Sequence, residues 1–198
     1  MLAPLYFAGR LTDVTDPLTR VTHYEYDAAS RRIATIVDPD GLALTTTTAY
    51  DAAGRVITAT DANGVETTNE YDRANRLVES VVDPGGLALT TSYVYNANGS
   101  IASVTDPAGR ITSYEYDRVG RLAELTAPGP RVSTFAYDEN GRQTGTQQPS
   151  GLVSETTYDD RGLVTATTVD PGGLDLTTGS AYDTAGRRPP VTNPRAST

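Results

Sequence analysis

Residues 104–117 read Val-Thr-Asp-Pro-Ala-Gly-Arg-Ile-Thr-Ser-Tyr-Glu-Tyr-Asp, and they contain both signals that recur along the chain. The first is an Asp-Pro-x-Gly turn, in which aspartate accepts backbone hydrogen bonds, proline presets φ and glycine tolerates a positive φ. The second is a segment with period-two alternation, which places Thr112, Tyr114 and Tyr116 on one face. The stretch therefore predicts a turn followed by a β-strand.

The Tyr-Asp pair that ends this stretch recurs at regular intervals. A tyrosine followed by Asp or Asn stands at Tyr26, Tyr50, Tyr71, Tyr95, Tyr116, Tyr137, Tyr158 and Tyr182, always 21 or 24 residues apart. The aspartates are Asp27, Asp51, Asp72, Asp117, Asp138, Asp159 and Asp183. A repeated period of this length is the signature of a repeat architecture, and Leu5 begins a degenerate first unit, so we predict about nine units.

A turn follows each of these tyrosines. Its fourth position is Gly54, Gly99, Gly120, Gly141, Gly162 or Gly186, with Ser30 and Asn75 in two units. An arginine usually comes next, as in Arg55, Arg121, Arg142 and Arg187, and Ser100 and Leu163 are the exceptions. We interpret these positions as structural: the aspartate opens the turn and the glycine closes it. Because each arginine lies four residues after an aspartate, we expect a local ion pair or a solvated rim.

The repeats fill nearly the whole chain. We predict a repeat array over residues 1–188 and a disordered or truncated tail over residues 189–198. Three units have 24 residues and share Asp-Pro-x-Gly-Leu-x-Leu-Thr-Thr at residues 38–46, 83–91 and 170–178. An odd insertion reverses the faces of a strand unless a bulge restores them, so we expect bulges in these units.

Composition narrows the range of functions. The chain has no cysteine and one histidine, which excludes disulfides, thiol nucleophiles and zinc sites that need paired imidazoles. The net charge of −9 argues against nucleic-acid binding, and no apolar run is long enough to span a bilayer. No signal peptide is visible at the N-terminus. We therefore expect that the chain is not an enzyme and binds no metal or cofactor. The 31 threonines and 12 tyrosines favour a half-solvated β-sheet.

The complete unit resembles the YD repeat of the RHS family, whose members include bacterial Rhs proteins, insecticidal toxin-complex components and the animal teneurins. Residues 104–117 come close to the family consensus, and the resemblance extends from Leu5 to about Arg188. It implies an all-β fold of tandem antiparallel β-hairpin repeats that form a curved, spiralling open sheet, a partial shell. It also implies a larger secreted or cell-surface bacterial protein that encloses or displays a toxin polypeptide. The partners would be the remaining repeats or a C-terminal toxin domain.

Other interpretations remain open for particular residues. The aromatic face at Tyr24, Tyr93, Tyr114 and Phe135 could bind glycans in a cell-surface adhesion module, although we favour packing. Asp83 and Asp106 resemble elements of the RHS aspartyl autoprotease, yet the same tetrad serves as a turn throughout the chain. The Asp-rich turns at residues 61–64 and 138–141 could suggest calcium, for which six to eight converging oxygens are needed. We interpret these as turns only, and His23 as a solvated strand residue.

Overall fold

Short strands alternate with turns along the chain, because Asp, Gly and Pro recur before any stretch reaches the length of a stable helix. A computed structural model describes residues 5–7, 9–129 and 131–188. These residues contain 17 strands and no helix, and hence none that could cross a membrane. The strands are β1 (Leu5–Phe7), β2 (Arg10–Thr15), β3 (Val21–Tyr26), β4 (Arg32–Val37), β5 (Leu44–Tyr50), β6 (Val56–Thr60), β7 (Glu66–Tyr71), β8 (Leu77–Val82), β9 (Leu89–Tyr95), β10 (Ile101–Thr105), β11 (Ile111–Tyr116), β12 (Leu122–Ala127), β13 (Arg131–Tyr137), β14 (Gln143–Gln147), β15 (Val153–Tyr158), β16 (Val164–Val169) and β17 (Leu176–Gly179).

The chain divides into two units. Among the described residues, the first unit holds 5–7, 9–94 and 104–110, and the second holds 95–103, 111–129 and 131–188. In the first unit β1 to β9 pair in chain order, each strand antiparallel to the next. In the second unit β11 to β17 pair in the same way, and β10 is divided between the units. The predicted all-β array of tandem hairpins is confirmed, and the predicted tail at 189–198 lies outside the described residues.

Neither unit has a conventional core in its described residues. Ala34 is the only buried residue there, with 7% of its surface exposed. The tyrosine side of each strand is half-buried, whereas Glu25, Glu70 and Glu115 on the alternate side are exposed. Cross-strand pairs such as Tyr114 opposite Leu125 therefore provide the packing that a second layer would provide elsewhere.

We name the tyrosines of the Tyr-Asp and Tyr-Asn pairs the signature tyrosines, and the turn after each of them is a three-residue hairpin loop. The Gly54 N–H donates to the Asp51 carbonyl at 3.0 Å, and the Asp51 N–H donates to the Arg55 carbonyl at 2.9 Å. Gly54 has a φ of 83°, and Ser30 and Asn75 adopt the same left-handed conformation at 66° and 64°. This is a type I turn followed by a left-handed residue, which glycine adopts with the least strain.

The three 24-residue repeats contain no bulge in the hairpins where we expected one. In β4–β5, Ala34 pairs with Thr47 and Val37 with Leu44 without a register shift, and β8–β9 and β16–β17 are equally regular. β4 and β5 have 6 and 7 residues, against 5 and 6 in β6 and β7. The insertion thus adds one residue to each strand and one to the turn, so the alternation survives. Bulges occur instead beside the tyrosines, as between Ala49 and Tyr50.

The glycine of the long turns differs from our prediction as well. Gly41 is absent from the positive-φ residues of the described chain, whereas Asp38 and Ala43 have φ of 54° and 49°. The Asp38 carbonyl accepts both the Gly41 and the Ala43 N–H groups, at 3.0 and 2.8 Å. A Cβ on Gly41 would collide with the Asp38 carboxylate. Glycine is required here for a close approach, and not for its own φ.

Candidate functional site

Successive turns of an antiparallel meander lie at opposite ends of the strands. The turns therefore form two rows along the sheet, and we call each row an edge. In each unit, one edge carries the turns that begin at the aspartate after a signature tyrosine, and we name it the Tyr-Asp edge. The opposite edge carries the turns of the Asp-Pro-x-Gly class, and we name it the Asp-Pro edge. The described polar contacts concentrate at the Tyr-Asp edge, which is therefore the candidate functional site.

Most Tyr-Asp turns are closed by an aspartate that binds the arginine four residues further on. The Asp117 carboxylate accepts the Val119 and Arg121 backbone N–H groups at 3.0 and 2.9 Å, and Arg121 Nε lies 2.6 Å from Asp117 Oδ2. The backbone hydrogen bond from Arg121, aided by its side chain, holds the pKa of Asp117 below its ordinary value. This is the ion pair that the four-residue spacing predicts. Equivalent pairs are Asp27–Arg31, Asp51–Arg55, Asp72–Arg76, Asp138–Arg142 and Asp183–Arg187.

The same arginine reaches forward to the next repeat, which we did not predict. Arg121 Nη1 donates to the Asp138 carbonyl at 3.0 Å, and its guanidinium lies 4.7 Å from the centre of the Tyr137 ring. This distance is within the range of cation–π attraction. Arg10, Arg31, Arg55 and Arg142 make the same two contacts with the repeat that follows them.

The signature tyrosine reaches back to the preceding repeat. The Tyr137 hydroxyl donates to the Leu122 carbonyl at 2.9 Å. The hydroxyls of Tyr26, Tyr50, Tyr71 and Tyr158 bind backbone carbonyls of their preceding repeats in the same way. These repeats are thus joined to their neighbours from both sides, and we name this series of arginines and tyrosines the arginine ladder. The sequence signal for the ladder is the constant spacing between the Tyr-Asp pair and the Gly-Arg pair in successive repeats.

The two repeats that lack the arginine differ from each other. At Leu163 a second arginine compensates, since Arg161 binds the Asp159 carboxylate at 2.8 Å and donates to the Asp183 carbonyl at 2.9 Å. Ser100 stays within its own turn: its hydroxyl donates to Asn98 Oδ1 at 2.7 Å. The ladder is therefore continued by substitution at one exception and interrupted at the other.

The predicted aromatic face lies on the strands, away from the turns. Tyr24 and Tyr93 belong to the first unit and Tyr114 and Phe135 to the second, and all four are half-buried. The Arg32 guanidinium lies 5.6 Å from the Tyr24 ring centre. Glycan binding at these residues stays a prediction.

The remaining candidate residues are engaged locally. The Asp83 carboxylate accepts the Leu87 N–H at 2.8 Å, and the Asp106 carboxylate pairs with Arg110 at 2.7 Å. The backbone N–H of Arg110 lowers the pKa of Asp106, whereas one carboxyl of a pair that shares a proton needs a raised pKa. In the described ranges no three His, Asp or Glu side chains converge on a possible metal position.

His23 is paired across two strands. Its Nδ1 lies 2.8 Å from Asp13 Oδ1, and the two residues are opposite each other in β2 and β3. This hydrogen bond is the main reason why the pKa of Asp13 is lowered. The side chain of His23 is partly exposed, and it has an acidic partner that the sequence did not indicate.

A family match accounts for this repeated geometry. The model of the family described as "Teneurin YD-shell" matches residues 10–198. The chain belongs to the teneurin YD-shell family. The predicted RHS/YD-repeat membership is thereby confirmed, and membership in a YD-shell family gives these repeats a structural shell role. No curated protein matches this YD-shell chain.

Solved structures show the same fold. The Tc holotoxin pore of Photorhabdus luminescens is 17% identical with a TM-score of 0.63, and the match covers 93% of this YD-shell chain and 13% of that chain. A TcdB2-TccC3 crystal structure is 16% identical with a TM-score of 0.60, covering 89% and 12%. A TcdB2-TccC3-TEV structure is 15% identical with a TM-score of 0.59, covering 85% and 11%. This YD-shell chain therefore spans about an eighth of the length of the chains it matches.

Proposed function

We propose that this chain is a non-catalytic wall segment of a larger YD shell that encloses or displays a toxin polypeptide. The match of the YD-shell family to residues 10–198 carries the proposal. The Tc toxin chains, of which the repeats span 11 to 13%, add support through their fold. The partners would be further repeats and a C-terminal toxin domain of one parent protein, secreted or held at a bacterial cell surface.

The contacts of the Tyr-Asp edge suit such a wall. Except for Arg10, each ladder arginine binds its own repeat through a carboxylate and the next repeat through a carbonyl and a ring, so the repeats are joined along the direction in which a wall grows. Hairpins of this size are marginal alone, and stability then comes largely from contacts between neighbours. A single layer held in this way can extend by adding repeats without needing a central core.

Protease protection tests the enclosure. The full native polypeptide that carries these repeats would be compared with a variant lacking residues 10–188, and the C-terminal segment of each would be followed under limited proteolysis. We expect that segment to resist digestion in the native protein and to be cleaved in the deletion variant as rapidly as when it is expressed alone. Equal digestion in both proteins would refute enclosure.

Intact-mass measurement tests whether the chain cleaves itself. The intact mass of the chain is expected to stay constant on prolonged incubation at neutral and mildly acidic pH. Cleavage near Asp83 or Asp106 that disappears in Asp83→Asn would instead establish self-processing. Asp38→Asn, in the equivalent long turn of another repeat, is the matched control for any effect on folding.

A further inference from the structure

The interruption of the ladder at Ser100 creates a distinct site in the second unit. Ser100 occupies the position of a ladder arginine, and its hydroxyl accepts from Asn96 Nδ2 at 3.0 Å and donates to Asn98 Oδ1 at 2.7 Å. These bonds keep the serine inside its own turn. The side chain is also too short to reach the following Tyr-Asp turn, which begins at Asp117.

An open cavity of about 360 Å³ lies at this interruption. It is lined by Asn96, Asn98, Tyr114, Glu115, Tyr116 and Asp117, and we name it the Ser100 slot. Its volume is near the lower end of the range of roughly 300–1,000 Å³ that is usual for ligand pockets. Its lining combines aromatic rings with amide and carboxylate oxygens, a composition that suits an organic cation.

The other repeats show which group fits this place. At five equivalent positions a guanidinium lies 4.6 to 5.5 Å from a signature tyrosine ring and 3.0 to 3.3 Å from the carbonyl of the next aspartate. Tyr116 and Asp117 are the corresponding ring and carbonyl at the slot. The Asp117 carbonyl accepts the Gly120 N–H at 3.0 Å, as the ladder carbonyls accept their own turn N–H, and a carbonyl has a second lone pair to offer.

We propose that the Ser100 slot binds the guanidinium of an arginine supplied by another polypeptide. The planar guanidinium can stack on the Tyr116 ring and donate to the Asp117 carbonyl at once, which is the arrangement that the ladder arginines show. The Asp117 carboxylate is already paired with Arg121, and Glu115, on the other side of the strand, borders the slot and adds a negative charge. The chain's net charge of −9 adds a general attraction for a cationic partner.

The second exception shows that the described chain continues the ladder at Leu163 but not at Ser100. At Leu163 the chain continues the ladder itself, because Arg161 reaches the Asp183 carbonyl. In the described chain no arginine plays this part at Ser100, since the guanidinium contacts of the other repeats involve neither the Asp117 carbonyl nor the Tyr116 ring. The slot therefore presents a ladder position to an arginine on a separate molecule.

Titration of the full chain with two matched peptides tests the proposal. The probe is N-acetyl-Gly-Arg-Gly-amide. The control peptide has citrulline, a neutral analogue of arginine, in place of the arginine. Binding of each peptide is followed by the backbone NMR chemical shifts of the chain. We expect saturable shifts in residues 98–100 and 114–118 with the arginine peptide, and binding roughly tenfold weaker with citrulline, as loss of one cationic contact implies. Equal binding of both peptides, or shifts spread over all Tyr-Asp turns, would overturn it.

Two kinds of variant separate the slot from general effects on folding. The double variant Asn96→Asp/Ser100→Arg restores the consensus turn, and it is expected to raise the thermal midpoint while abolishing the shifts at residues 114–118. Tyr116→Phe keeps the ring face and should bind as the native chain does, whereas Tyr116→Leu should not. Arginine-peptide binding that survives in both the double variant and Tyr116→Leu contradicts the proposal.

Sedimentation of the chain distinguishes the sources of the arginine. Concentration-dependent association that disappears in Asn96→Asp/Ser100→Arg would identify a second copy as the donor. A monomeric chain that binds the arginine peptide would indicate a different polypeptide. Either result supports the slot, provided that the citrulline peptide binds more weakly than the arginine peptide.

Discussion

The two edges of the sheet use the same ion pair with different results. At the Tyr-Asp edge, Arg121 and Arg142 have 31% and 29% of their side chains exposed, and each binds two repeats. At the Asp-Pro edge, Arg20 and Arg110 have the same four-residue spacing from an aspartate, yet 64% and 66% of their side chains are exposed. Their described hydrogen bonds and ion pairs stay within their own turns.

The neighbouring repeat accounts for the difference. At the Tyr-Asp edge the residue before each aspartate is a tyrosine, whose ring lies beneath the guanidinium of the preceding repeat. At the Asp-Pro edge the corresponding residue is an aliphatic or a threonine, such as Thr15, Val37 or Thr105. A local ion pair thus becomes a connection between repeats only where an aromatic ring holds the arginine over the next turn. Four predictions test or refine this comparison.

The largest effect is expected for the ladder arginine itself. Arg121→Ala removes the Asp117 ion pair, a hydrogen bond to the Asp138 carbonyl and the contact with the Tyr137 ring, and we expect a loss of about 1–2 kcal/mol in the free energy of unfolding. Arg110→Ala is the matched control, since it removes only an exposed pair within one turn, for which we expect a much smaller loss. Urea denaturation measures both. Equal losses would show that the connection between repeats contributes nothing.

A steric test applies to the Asp-Pro edge. A Cβ on Gly86 would collide with the Asp83 carboxylate, whereas the neighbouring Gly85 has open space around it. We expect Gly86→Ala to cost about 1 kcal/mol or more, by breaking the bonds that the carboxylate makes to the turn, and Gly85→Ala to be neutral or slightly stabilising. Thermal unfolding of the two variants provides the comparison, and a neutral Gly86→Ala would show that the turn relaxes freely.

Acid should weaken both edges equally. The backbone N–H of the arginine four residues on is the main cause that lowers the pKa of Asp106 at one edge and of Asp117 at the other. A lowered folded-state pKa gives stability that is complete above the ordinary value of about 3.9 and is lost as the pH falls through the folded value. We therefore expect the free energy of unfolding to be constant above about pH 5 and to fall below about pH 4.

Two substitutions refine this acid dependence. Asp106→Asn and Asp117→Asn should each remove a similar part of the loss in stability below about pH 4, since each aspartate accepts the same pair of backbone N–H bonds. Urea unfolding at a series of pH values measures this. A change confined to Asp117→Asn would show that the ladder, and not the turn, sets the pKa.

The smallest effect is expected for the exposed leucines of the long turns. Leu87 has 77% of its surface exposed at the Asp-Pro edge. Leu87→Ser should change the free energy of unfolding by less than about 0.5 kcal/mol, whereas Leu125→Ser, on a half-buried strand position opposite Tyr114, should cost clearly more. Similar losses for both variants would indicate that the long turns pack more tightly than their exposure suggests.

Much of the fold could be predicted from short-range sequence patterns. Gly54 closes its turn with a positive φ, and Tyr114 and Tyr116 fall on one face, because turn chemistry and period two act over a few residues. The long hairpins were less predictable. A three-residue insertion can be divided between strands and turn in several ways, and only pairing across β4–β5 shows that each strand gained one residue.

Part of the candidate site could be predicted as well, because contacts within a single turn have a local sequence signal. The four-residue spacing of Asp117 and Arg121 predicts their ion pair, since one turn brings both side chains together. Neither the Tyr137 ring over Arg121 nor the hydroxyl bond to the Leu122 carbonyl has a local signal, because each joins residues 15 or more positions apart. The sequence by itself determined the repeat, its turns and its strand faces. Tertiary structure alone decided which repeats bind one another and where that binding is interrupted, because such contacts depend on how neighbouring strands align.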